Sequence, residues 1–230
     1  MEFHLGIEDI EPGNWVAWVF EFPGCYSRGA TREDAIRLAP DAIRELLARL
    51  KNVGFSTYDS SIPFRISIQE EFRAYSTPPD YLINAFFLND QIPLIESDIQ
   101  YGQVVLNMNR GELLESVGEL SKERLDQTIT GEVQKNISGI LRHIGTAEWW
   151  YWDRLGMAFP RAERPEQLFE LLRLVRAFTL RNLPDLAGKI QTRVCSGELW
   201  SPRKLLRRAI WHERIHTLQI ARYCRNLLNK

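Results

Sequence analysis

Two hydrophobic periodicities divide this chain. Near its start, β-branched and aromatic residues run or alternate over residues 2–10, 14–22 and 64–68, the pattern of strands covered on at least one face. Glu11-Pro12-Gly13-Asn14 separates the first two runs and reads as a hairpin turn, and residues 23–29 read as a second turn. Between the strands, Ala35, Leu38, Ala42, Leu46 and Leu50 recur three or four apart, predicting a helix over 32–51. Thr31 stands at its N-cap, with Asp34 three residues on as an acidic capping-box partner. From residue 98 the period is helical throughout. The predicted helices are 98–120 (Leu106, Leu113, Val117, Leu120), 133–156 (Ile137, Ile140, Leu141, Ile144, Tyr151), one between Pro165 and Pro184 (Leu168, Leu171, Leu172, Val175, Phe178), and one capped by Ser201. The expected fold is therefore an α+β N-terminal domain over 1–76, a small sheet with one helix. A connecting segment over 77–97 leads to an all-α four-helix bundle over 98–230.

The last predicted helix buries Leu205, Ala209, His212, His216 and Tyr223 on one stripe. Imidazoles on a core-facing stripe carry a desolvation cost unless bonded or metallated. Spaced four apart, His212 and His216 point the same way and can chelate a divalent ion. His212-Glu213-Arg214-Ile215-His216 also spells the zinc-protease pattern, in which Glu213 is the general base. The 14 residues after His216 hold no His, Asp or Glu, so an upstream third ligand is expected. Apart from the remote His4, the one other histidine is His143 on the second predicted helix. His143, His212 and His216 would make a facial three-nitrogen site with open positions. The alternative is a set of structural histidines without metal. Zinc is the expected ion, with nickel, iron and manganese as alternatives. Glu213 is the candidate catalytic residue, as proton shuttle or ligand orienter; pairing with an arginine is the competing reading. Asn107 and Arg110 are expected to be exposed.

Charge is nearly balanced, at −1 overall, so neither nucleic acid nor an anionic membrane is an expected partner. The basic run Arg203, Lys204, Arg207, Arg208 and Arg214 reads as a solvated helix face lying against the first domain. Cys25, Cys195 and Cys224 form no C-x-x-C pair, and no leader pattern or membrane-length apolar run is present. A cytoplasmic location is expected, with the cysteines acting as small hydrophobes. Trp149, Trp150 and Trp152 cannot all face one core, and one or two are expected at the first domain or at a homodimer interface.

Phe22-Pro23-Gly24-Cys25 followed by Gly29-Ala30-Thr31-Arg32-Glu33-Asp34-Ala35 resembles the HicB-like antitoxin domain. No ribbon-helix-helix or helix-turn-helix signature follows, so the expectation is an accessory domain that dimerises or binds a protein partner. Ile140-Leu141-Arg142-His143-Ile144, with the run from Trp200-Ser201-Pro202 to His216, resembles the DinB superfamily of metalloenzymes. That resemblance implies His143, His212 and His216 as metal ligands and, by likeness to the superfamily's thiol-dependent S-transferases, a low-molecular-weight thiol and a small-molecule electrophile as substrates. A metal-dependent hydrolase and a non-catalytic interaction protein are the alternatives.

Overall fold

The computed structural model describes residues 1–55, 62–78, 80–131 and 133–228. The first three strands, β1 (Glu2–Glu11), β2 (Asn14–Val19) and β3 (Tyr26–Gly29), form an antiparallel meander. The chain then runs through α1 (Arg32–Asn52) and returns as β4 (Arg65–Arg73), parallel to β1. The strand order is β3-β2-β1-β4. Thr31 caps α1 by accepting the Asp34 backbone N–H. Residues 26–29, expected as turn, pair instead with β2 from Trp18↔Tyr26 to Trp15↔Gly29.

Strand alternation gives the sheet two apolar faces. Phe3, Leu5, Ile7, Ala17 and Val19 meet the buried stripe of α1. Val16, Trp18 and Phe20 face the other way and are covered by Ala85, Phe87 and Trp211. Residues 77–97 are thus more than a connector. After the short hairpin β5 (Tyr75–Thr77) and β6 (Tyr81–Ile83), they wedge Ala85 and Phe87 beneath the sheet and place Asp90, 1% exposed, in a 3-10 turn.

The expectation of a four-helix bundle is overturned. The remaining helices are α2 (Glu96–Val117), α3 (Lys122–Leu125), α4 (Ile137–Arg154), α5 (Leu168–Asn182) and α6 (Pro202–Leu228). With α1 they make six among the described residues, and 3-10 turns and a second hairpin, β7 (Arg193–Cys195) with β8 (Glu198–Trp200), interrupt them. The physical reason lies in α6. Residues 201–210 are all buried, because one side of α6 packs on α2 and α4 while the other lies under the sheet. A bundle helix buries one stripe; this one is enclosed nearly all round along its first half. One apolar cluster accordingly runs from Leu5 and Ile43 through Ile99 and Val105 to Trp152 and Ile210.

Gly24 marks the tightest approach of sheet to helix. Its φ is +86°, and an added Cβ would stand 2.3 Å from Ile210 Cγ2. Positive φ and overpacking both oppose any side chain there. Gly24→Val is expected to destabilise the protein by about 3 kcal/mol, read as an earlier urea midpoint. An unchanged midpoint would show that α6 is not held against the sheet at this point.

Candidate metal centre

α4 and α6 cross so that His143 faces both His212 and His216, with ring centroids 4.7 and 4.9 Å apart. Two turns further along α4, Tyr151 meets His212 and Trp200. One ring nitrogen from each of the three histidines lies within 4.8 Å of the others. His143 Nε2 and His212 Nε2 are 2.9 Å apart. Metal–nitrogen bonds of about 2.0–2.1 Å place neighbouring ligand nitrogens about 3.0 Å apart at a right angle and about 3.3 Å apart at the tetrahedral angle. The His143–His212 spacing is that of two neighbouring ligands and the third nitrogen lies within 4.8 Å, so these residues fit a divalent ion.

The protonation of the site suits the same purpose. Burial, reinforced by His216, pushes His143 down from 6.5 to about 4. Burial, then His216, His143 and Arg208, holds His212 well below its ordinary range. Neutral imidazole is the ligand form. Behind His216, Nδ1 lies 2.7 Å from Gln219 Oε1, a carbonyl that can only accept. This contact puts a proton on Nδ1, as outer-shell partners of metal-bound histidines do. Beside His216 opens a cleft of about 440 Å³ lined by Arg28, Ile215, His216, Leu218, Gln219 and Arg222.

Glu213 takes another part. It is 2% exposed, with Oε1 accepting from Arg110 Nε at 2.5 Å and Oε2 bonded to Arg176 Nη2. Glu148 completes the group, bonding Arg110 Nη2 and Arg176 Nε at 2.8 Å each. Burial would raise Glu148, but Arg176 and Arg110 outweigh it and hold the carboxyl below its usual range. The four side chains come from α2, α4, α5 and α6, and two positive charges balance two negative ones. Both Glu213 oxygens are thus engaged by guanidinium groups, which is the arginine-pairing reading; nothing in this placement supports a proton shuttle. Arg110, expected at the surface, is 7% exposed, whereas Asn107 is exposed. Glu148 and Arg176 were not anticipated at all. Their signal was positional, since each lies one helical turn after a buried residue, Ile144 and Leu172.

The basic run is likewise not solvated. Arg203 bonds Asp98 at 2.6 Å, Lys204 bonds Glu198 at 2.8 Å, and Arg207 bonds Asp90 at 2.7 Å. Arg214 reaches Glu112 and Glu45, the latter on α1. Arg208 stacks on Trp211 at 4.3 Å, with Nε and Nη1 buried and lacking an acceptor among the described residues. Burial lowers Lys204 to about 8, against the pull of Glu198. These cations are consumed in joining α6 to its neighbours, including the first domain through Arg207 over Trp18. Trp150 packs on Trp200, and Trp152 Nε1 donates to Thr179, so their contacts lie within the helical part. Burial raises the Cys25 thiol to about 12, as for an inert hydrophobe. No helix among the described residues is long and apolar enough to cross a membrane. In comparisons with known proteins, the chain matches no family model, no curated protein and no solved structure.

Removing one partner from a buried, balanced ion group strands a charge and costs about 3–5 kcal/mol. Arg176→Met is expected to lose that much in urea denaturation, and a loss below about 1 kcal/mol would dissolve the network argument. The metal-free protein is also expected to weaken in acid. Folded His143 titrates below its unfolded value, so as pH falls the unfolded chain takes up the proton first. Stability is full above about 6.5 and drains between there and about 4. Urea midpoints across that range, with His143→Gln showing a shallower slope, measure this; equal slopes would contradict it.

Proposed function

We propose that His143, His212 and His216 hold a divalent metal, zinc foremost, and that the chain is a metal-dependent enzyme of the DinB type. On this reading residues 1–76 form a HicB-like accessory module. The observation that carries the proposal is the convergence of three imidazoles, from two helices, one of which, His216, lines an open cleft. The reaction that best suits it is thiol-dependent S-transfer, in which a low-molecular-weight thiol is joined to a small electrophile. Bound to three neutral ligands, a divalent ion keeps its full charge and draws the pKa of a thiol, or of water in a hydrolase, toward neutrality.

The chain's own residues supply the remaining requirements. Gln219 orients His216. Arg110 and Arg176 neutralise Glu213 next to His212, so no free carboxylate competes from that position. Tyr151 and Trp211 wall the His212 ring at 5.9 and 6.1 Å, limiting water on its inner side. The alternative of a sheet face that grips a protein partner is narrowed, because β1 and β2 are covered on both faces within the chain.

Elemental analysis tests the proposal. Wild-type protein is expected to carry about one metal per chain, and His143→Ala and His212→Ala to carry none. If neither zinc, nickel, iron nor manganese binds after reconstitution, the histidines are structural and the proposal fails.

A further inference from the structure

Arg28 stands apart from the other cations near α6. Arg203, Arg207 and Arg214 each bond a carboxylate. Arg28 is exposed on the edge strand β3 and makes no hydrogen bond or ion pair among the described residues. Strand alternation puts it on the same face as Tyr26, whose ring meets Trp211 of α6 at 6.3 Å. Arg28 thereby reaches the α6 surface one to two turns beyond, where it lines the cleft that also contains His216. Among the described residues no aspartate or glutamate lines that cleft, and Arg222 is a second cation in its wall. Arg28 also borders the adjoining cavity of about 150 Å³, which differs in that Glu45 accompanies Arg49 and Arg214 there. A cleft bounded by cations, with no acidic side chain in its wall, concentrates anions. Its volume suits a small molecule.

We infer that this cleft receives the acidic end of a small-molecule substrate, and that Arg28, contributed by the N-terminal sheet, is the residue that binds it. The inference rests on the proposed metal centre at His216 and extends it to substrate class. It also gives the first domain a task within the catalytic unit: the helices supply the metal ligands and the sheet supplies the anion selector. Arg28 touches substrate remote from the reacting atoms, so it acts on affinity.

Two thiols of equal length, mercaptohexanoate and mercaptohexanol, separate the possibilities. Each is titrated into cobalt-loaded protein while the cobalt–thiolate charge-transfer absorption is followed. Wild-type protein is expected to bind the carboxylated thiol about fivefold more tightly. Arg28→Ala should abolish that preference, Arg28→Glu should invert it, and Arg28→Lys should keep part of it. Cobalt content and mercaptohexanol affinity should stay constant throughout. Equal affinities in the wild type, or a preference that survives Arg28→Ala, would overturn the inference while leaving the metal centre intact. Absence of cobalt uptake, or of any thiolate band, would remove the metal–thiol reading and this inference with it.

Discussion

Four buried charges govern how the helices of this protein come together. Arg110, Glu148, Arg176 and Glu213 each arise from a different helix and are each less than a tenth exposed. Desolvating them is costly, and the cost is offset only when all four are present and their hydrogen bonds are filled. Two arginines also bond main-chain carbonyls, Arg110 to Leu172 and Arg176 to Leu106, so the group fixes backbone as well as side chains. A partial assembly leaves an unpaired charge in an apolar interior. The network therefore favours one rotation of α6 about its axis, and that rotation decides where His212, the residue before Glu213, points. The placement of the histidine cluster and the packing of the helices are two outcomes of one electrostatic constraint.

Much of the site was legible in the sequence because its spacing was helical. The four-residue interval of His212 and His216 placed them on one face, and His143 was the one other histidine besides the remote His4; the structure brings these three together. The charged core was illegible for the opposite reason. Arg110, Glu148, Arg176 and Glu213 each follow a buried residue by four, yet a charge in an apolar stripe reads as a solvated position. Only the simultaneous presence of partners from other helices makes such burial tolerable, and no single segment reveals that. The same blindness hid Lys204, which is wholly buried against Glu198 in a run that read as a basic surface.

The fold followed a similar division. Strands β1 and β2 and helix α1 arose from local pattern and capping, and their bounds lay within a few residues of expectation. Strand β3 was missed because its four residues pair at a sheet edge after a proline-glycine turn, leaving too short a run to alternate visibly. The bundle expectation failed because amphipathic period says which face of a helix is buried, but not whether a second layer covers the other. For α6 the second layer is the sheet.

The enclosure of α6 bears on the order in which the molecule is made. Trp18 and Phe20 emerge from the ribosome early, whereas Trp211, which covers that face of the sheet, is among the last residues of the described chain to appear. Ala85 and Phe87 cover part of that face first, but until α6 follows, Trp18 lacks its Trp211 cover. A partly bare aromatic face of this kind adheres to other chains and draws chaperones. His212 and His216 arrive on the same segment as Trp211. Sealing of this part of the hydrophobic surface and completion of the histidine cluster are therefore one event, and a ribosome stalled before α6 releases a product that lacks both.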